Sequence, residues 1–289
     1  MTPNQRTIAQ ESVVSGVGLH TGNPTTMRFL PAPPDTGIVF VRTDLPGRPA
    51  IPATIDHVIG VIRGTSLGLD GAQVHTVEHV CSAIFVLGID NLRIELDANE
   101  PPVADGSARE FFQALRRAGL AGQDRPKQVF SPSEPLTYRS NETEITLAPG
   151  PGLSIRCTLV FDHPMIGRQE ADFTIDPDTY SREIAPARTF CFDYEVEALK
   201  RKGLARGGSL DNAVVIGMDR VYNKEKTLRF PNEFARHKML DLIGDLSLLG
   251  RPLEGRITAQ RIGHGHNINF VRQLAKVAGA RISVGGERP

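Results

Sequence analysis

Residues 75–119 read HTVEHVCSAIFVLGIDNLRIELDANEPPVADGSAREFFQALRRAG, and within them the pattern passes from helix to strand and back to helix. Val80, Ile84 and Leu87 recur at helical spacing, and Gly88 is placed to end the helix. NLRIELDA then alternates as a half-buried strand does, and SARE at 107–110 has the form of a capping box that opens a second helix, FFQALRRAG, closing on Gly119. Upstream, residues 7–67 alternate short β-type runs with turn signals: TIAQESVV, GVGLHTG, TTMRF, PAPPDTG, GIVFVR, IPATI and GTSLGL. Downstream, the polar AGQDRPKQ at 121–128 reads as a linker. KQVFSPSEPLTY, TEITLAPG, LSIRCTLVF and EADFTI follow as strand candidates, and Asp193 can cap DYEVEALKRKG. AVVIG is a short strand, a long helix runs from Pro231 to Gly250, RITAQRI is a strand and NFVRQLAKVAG the last helix. Both halves put strands before helices, the pattern of α+β two-layer units rather than a wound parallel sheet. The expected domains are 1–122 and 127–289, without a residue-level repeat between them.

The chain has 289 residues, enough for two domains, and its 40% apolar and 23% charged content is that of an ordinary globular protein. Thirty-three basic side chains balance thirty-three acidic ones, so it lacks the basic excess that drives nucleic-acid binding. The longest apolar stretch, Val80 to Ile89, is too short to cross a bilayer. MTPNQRTIAQESVV has no apolar core of a signal peptide, which predicts a cytoplasmic protein, and nothing in the pattern argues against a monomer. Cys81, Cys157 and Cys191 are odd in number and far apart, so neither a disulfide framework nor a cysteine zinc site is expected. A bound metal would have to be held by histidines and carboxylates.

The helix PNEFARHKMLDLIGDLSLLG offers such a set. His237, Asp241 and Asp245 stand at i, i+4 and i+8 on one face, beside an apolar stripe of Leu242, Leu246 and Leu249. Histidine and aspartate one turn apart can both reach a tetrahedral zinc, and a catalytic zinc needs one further protein ligand. The plain alternative is an exposed helix face with fortuitous acids. HTVEH supplies the missing parts: His79 as third ligand and Glu78 beside it as the base for a water that zinc acidifies to a pKa of about 7. A histidine satisfied in the core is the alternative for His79. Two histidines and an aspartate also suit iron(II).

HTVEH also matches HxxEH, the motif of inverted-zincin peptidases, in which His75 and His79 would both be ligands. That reading leaves the row on the other helix unexplained. In RIGHGHNIN, His264 lies between two glycines and can act as general acid if a carboxylate such as Asp245 keeps it cationic. A simple glycine turn is the alternative there. GVGLHTG misses GxGxxG by one residue and precedes Asn-Pro rather than a helix, so no dinucleotide site is expected. Lys238 and Arg261 could place positive charge at a phosphate-bearing substrate.

Taken in order, HTVEH, DGSAREFF, ARTF, GLARGGSLDNAVV, LRFPNEFARHKMLDLIGDL and GHGHNIN closely resemble the UDP-3-O-acyl-N-acetylglucosamine deacetylase family over nearly the whole chain. The resemblance implies two similar α+β sandwich domains whose helices pack face to face between outer sheets, with the active site at their junction. It implies zinc-dependent hydrolysis of an N-acetyl group on a lipid-bearing UDP-sugar, the committed step of lipid A synthesis. Matching positions make His79, His237 and Asp241 the metal ligands, Glu78 the base, His264 the cationic acid supported by Asp245, and Thr189 a holder of the oxyanion. Lys238 would sit near the diphosphate and Phe161 would stack on uracil. A β-α-β insert, about 190–217, would form an apolar passage for the 3-O-acyl chain, walled by Phe190, Val196, Ala205, Gly208, Ser209 and Val215. That chain gives a route to transient membrane proximity. The sequence departs from the family at His75, where a small polar residue is common, and at Arg261, where lysine is expected. A non-catalytic sugar-nucleotide sensor is a further reading of the same site.

Overall fold

The computed structural model describes residues 3–279. The first half contributes β1 (Asn4–Ile8), β2 (Ser12–Val17), β3 (Pro24–Pro31), β4 (Ile38–Arg42), β5 (Ala50–Pro52), a meander of β6 (Val58–Gly60), β7 (Ser66–Leu69) and β8 (Ala72–Val74), then α1 (Glu78–Leu87), β9 (Leu92–Leu96) and α2 (Arg109–Ala118). After β10 (Leu120–Pro126), the second half contributes β11 (Leu136–Ser140), β12 (Thr143–Ala148), β13 (Leu153–Val160), β14 (Arg168–Thr174), a single turn α3 (Pro177–Thr179), β15 (Phe190–Phe192), α4 (Asp193–Arg201), β16 (Val214–Ile216), β17 (Val221–Tyr222), α5 (Glu233–Ser247), β18 (Gly255–Gln260) and α6 (His264–Val277).

The two large sheets have one topology. Their strand orders are β2-β3-β9-β4-β5 and β11-β12-β18-β13-β14. In each, the strand that follows the central helix returns between two earlier strands, antiparallel to one and parallel to the other: β9 beside β4, β18 beside β13. Each unit carries an insertion between its fifth-listed strand and its central helix, the β6–β8 meander in one and β15-α4-β16-β17 in the other. Alternating burial along β9 and β18 turns one face of each sheet inward, which is all that such a repeat demands of the sequence. The architecture is thus α+β, as expected, with helices between sheets: α5 packs on β13 and β14 on one side and on α1 on the other, while α1 packs on α2 and α2 on β2.

The close approach of α1 and α5 depends on Gly244. A Cβ there would lie 2.1 Å from the Glu78 carbonyl oxygen, so a residue that weakens an isolated helix is what lets the two helices meet. α5 is buried almost all round, including His237, Asp241 and Asp245, which removes the reading of that row as a solvated face.

Three local expectations are corrected. The polar segment 121–128 is no free linker: β10 pairs antiparallel with β1, and the Lys127 amide donates to the Pro3 carbonyl. The capping box at 107–110 does not form, because Ser107 bonds Asp105 (Oγ to Oδ1, 2.5 Å) and the helix starts later, at Arg109. His264 is not in a free glycine turn but opens α6, with Gly263 as its N-cap. Among the described residues, no helix is long and apolar enough to cross a membrane.

Candidate active site

α5 and α1 bring His237, Asp241 and His79 together. Their ligand atoms all lie within 4.8 Å of one another, with Asp241 Oδ1 3.4 Å from His237 Nε2 and 3.7 Å from His79 Nε2. The imidazoles meet edge to face, with centroids 5.0 Å apart. His237 Nδ1 donates to the Ala187 carbonyl at 3.0 Å, which leaves its Nε2 lone pair facing Asp241. Burial pushes both imidazoles down, His79 to about 3, so both are neutral as ligands must be. Burial would raise the Asp241 carboxyl, but the basic groups around it, Lys238 and cationic His264 among them, outweigh it and hold the group below the usual carboxylate range. Asp241 Oδ2 accepts from Lys238 Nζ at 2.8 Å, whereas buried Oδ1 has no hydrogen-bond partner. An orphaned carboxylate oxygen facing two imidazole nitrogens is the arrangement a small divalent cation satisfies, so these residues fit one.

Glu78 is the first residue of α1, and its position is set by strain just before it. Thr76 has φ +54°, unusual for a β-branched residue, and its hydroxyl donates to Glu100 Oε1 at 2.8 Å. Glu100 is itself buried and also accepts from the His20 and Thr21 amides and the Thr21 hydroxyl. The kink keeps residues 75–77 out of the helix. His75 therefore turns to Ser66 (Nδ1 to Oγ, 3.0 Å) and stays out of the metal-ligand group, which removes the HxxEH geometry in which both histidines share a helical turn.

Glu78 Oε2 accepts the Thr65 amide at 2.9 Å, and Oε1 lies 3.7 Å from His264 Nε2. Burial raises the Glu78 carboxyl to about 7, with His264 opposing and Asp241 and Asp245 adding to the rise. A carboxylate so poised can exchange a proton near neutrality. Burial and a place at a helix N-terminus both disfavour a cationic His264, yet Asp245, Glu78 and Asp241 outweigh them and lift it to about 9. Its Nδ1 donates to Asp245 Oδ2 at 2.9 Å, while Thr65 Oγ1 (2.6 Å) and Asn267 Nδ2 (2.9 Å) hold the same carboxylate. His264 Nε2 is left facing Glu78 and Asp241.

Glu78, His79, His237, Asp241 and His264 line one cavity of about 210 Å³, to which Thr189, Phe190 and Lys238 also belong. Thr189 is fixed there by its amide bond to the Gly106 carbonyl (2.8 Å) and by its own carbonyl accepting from Val214 (2.9 Å). Beside it lies a second, mostly apolar cavity of about 280 Å³, and Phe190, Val196, Ala205, Gly208, Ser209 and Val215 all line it. Its wall is the expected β-α-β unit: β15 and β16 run parallel with α4 between them. Phe161 lines neither cavity; its ring lies 5.5 Å from Phe192, which stacks on Tyr194. Arg261 also lines neither and pairs with Glu142 at 3.3 Å.

A family model for UDP-3-O-acyl N-acetylglycosamine deacetylase matches residues 5–276. The chain belongs to this family. It is 45% identical to a UDP-3-O-acyl-N-acetylglucosamine deacetylase of Myxococcus xanthus over 94% of this chain and 86% of the relative. To the protein of the same name from Oleidesulfovibrio alaskensis it is 46% identical, over 94% of this chain and 89% of that one. It is also 43% identical to the bifunctional enzyme LpxC/FabZ of Chlorobaculum tepidum, where 96% of this chain spans only 65% of the relative.

Sequence reasoning missed several groups that this deacetylase-family site uses as supports. Thr65 and Glu100 are polar residues in β-rich loops, and only their burial marks them. Asn267 could have been found, since it lies one turn after His264 and faces the same carboxylate.

Proposed function

We propose that the chain hydrolyses the N-acetyl group of UDP-3-O-acyl-N-acetylglucosamine, giving UDP-3-O-acyl-glucosamine and acetate in lipid A biosynthesis, with a zinc ion held by His79, His237 and Asp241. The observation that carries this reading is the single cavity into which the three candidate ligands, Glu78 and His264 all open. A divalent cation bound there supplies Lewis acidity, which acidifies water and polarises a carbonyl. Glu78, carboxylate-bearing and buried, takes a proton from the attacking water. Cationic His264, oriented by Asp245, gives a proton to the departing sugar nitrogen, so that water and amide become acetate and amine. Thr189 lines the same cavity, and its hydroxyl steadies the negative charge developing on the acetyl oxygen. Lys238 contributes a positive charge at the cavity for the substrate's diphosphate, in addition to its bond to Asp241. Phe161 is the candidate for stacking on the uracil ring; it packs on Phe192 of the insert beside the passage.

The adjoining apolar cavity suits the 3-O-acyl chain, whose burial contributes about 0.8 kcal/mol per methylene. Buried, unpaired Cys81 and Cys157 fit a reducing compartment, and we place the protein in the cytoplasm, as a monomer. The two-nitrogen, one-oxygen donor set suits zinc and also iron(II). Acetate release from the acylated substrate, with metal counted on the same protein, tests the proposal. One essential divalent ion per chain with turnover supports it, and metal and substrate binding without acetate release would make the protein a sensor.

A further inference from the structure

The catalytic cavity and the apolar passage share a neck. Leu19, Arg63, Thr189 and Phe190 line both, and Arg63 is the one charged residue of the four. Arg63 comes from the loop between β6 and β7, in the half of the chain that carries Glu78 and His79, whereas the passage wall is the insert of the other half. Its guanidinium crosses to the first turn of α4, with Nη2 to Glu195 Oε1 at 2.5 Å and Nη1 to Oε2 at 3.3 Å. Its backbone has φ +60°, uncommon for a residue other than glycine.

The same loop is tied to the insert a second time. His20 Nε2 bonds the Arg63 carbonyl and His20 Nδ1 accepts the Ala205 amide, both at 3.3 Å, and the tautomer with hydrogen on Nε2 satisfies both. The Arg206 and Gly207 amides continue the seam to the His20 and Leu19 carbonyls. A Cβ at Gly207 would meet the Gly18 carbonyl oxygen at 2.2 Å, so backbone here touches backbone. These ties matter because α4 has little else to hold it: of its nine residues, Leu199 alone is buried.

We propose that the Arg63–Glu195 ion pair is a positioning latch that fixes the neck between the two cavities and thereby sets how tightly the 3-O-acyl chain is held. The proposal rests on the reading of the apolar cavity as the acyl passage. Arg63 is 39% and Glu195 23% exposed, and a pair so placed adds little to global stability, so its loss changes local geometry without unfolding the chain. Glu195→Gln isolates the charge, because glutamine keeps an oxygen to accept the Phe192 amide that Glu195 now holds at 3.1 Å.

The test measures kcat and KM separately on the 3-O-acylated substrate and on UDP-N-acetylglucosamine lacking the chain, in wild type, Arg63→Gln, Glu195→Gln and the double variant. Glu195→Gln raises KM for the acylated substrate about tenfold, or ~1.4 kcal/mol, with kcat held within about twofold. The double variant loses no more than either single one, since the two side chains act as one unit. Losses that multiply in the double variant, or a fall in kcat in place of the rise in KM, overturn the latch. A wild type that turns over both substrates with equal kcat/KM shows instead that the passage reading has failed, and the latch falls with it.

Discussion

α5 and α4 both face substrate-sized space, and they are built in opposite ways. α5 is fifteen residues long, buried nearly throughout, clamped between a sheet and α1, and carries its polar row inward. α4 has nine residues, one of them buried, and is held by a seam of loop contacts and one ion pair. The difference follows from what each side does. Proton transfer demands placement to a fraction of an ångström, and only close packing delivers that. Holding an alkyl chain demands apolar area and little direction, which a thin insert on the rim can supply.

That contrast is broken most severely at Gly244. Gly244→Ala puts a methyl into the Glu78 carbonyl, so α1 and α5 must part. Overpacking of this kind costs about 1–3 kcal/mol, and displacing Glu78 and His79 relative to α5 costs about a hundredfold in kcat. Thermal melts and steady-state rates on one preparation separate the two effects.

Asp245→Asn acts on charge instead of packing. Asp245 is the largest of the influences that raise His264, so its loss brings that pKa down from about 9 towards the ordinary histidine value. His264 works protonated, and activity is lost as pH rises through its pKa. The alkaline limb of the kcat/KM profile therefore moves to lower pH in the variant, and a limb that stays in place would remove His264 as the acid.

In the insert, Val215→Phe narrows the passage and leaves the catalytic cavity untouched, because Val215 lines only the former. KM for the acylated substrate rises about tenfold while kcat/KM for the unacylated one holds. The smallest effect is at His75: bonded to Ser66 and outside the ligand group, its replacement by alanine leaves metal content and kcat within about twofold of wild type.

What was legible in the sequence follows the same division. The row of His237, Asp241 and Asp245 stood out because helical periodicity places it on one face, and the order of strands and helices stood out because alternation and turn residues are local signals. The kink at Thr76 was not legible, since it comes from a buried carboxylate 24 residues away. Nor was β10, a polar strand that exists because β1 pairs with it and not because its residues favour a sheet. The likeness of the two units came from the family resemblance and from the parallel order of strands and helices, whereas the strand order within each sheet was not readable, because very different residues supply the same alternating burial. Phe161 was carried over from the family and Arg261 stands where the family has lysine, and neither lines the two cavities of the site.

The most direct measurement is acetate release by Glu78→Gln with its metal counted alongside. Glutamine keeps an acceptor for the Thr65 amide but cannot take a proton, and the three candidate ligands are left as they are. The account predicts one divalent ion per chain, as in wild type, and a kcat lowered about 10²–10⁴-fold. A variant that keeps its metal and wild-type turnover would contradict Glu78 as the base, and one that loses its metal would contradict the assignment of ligands.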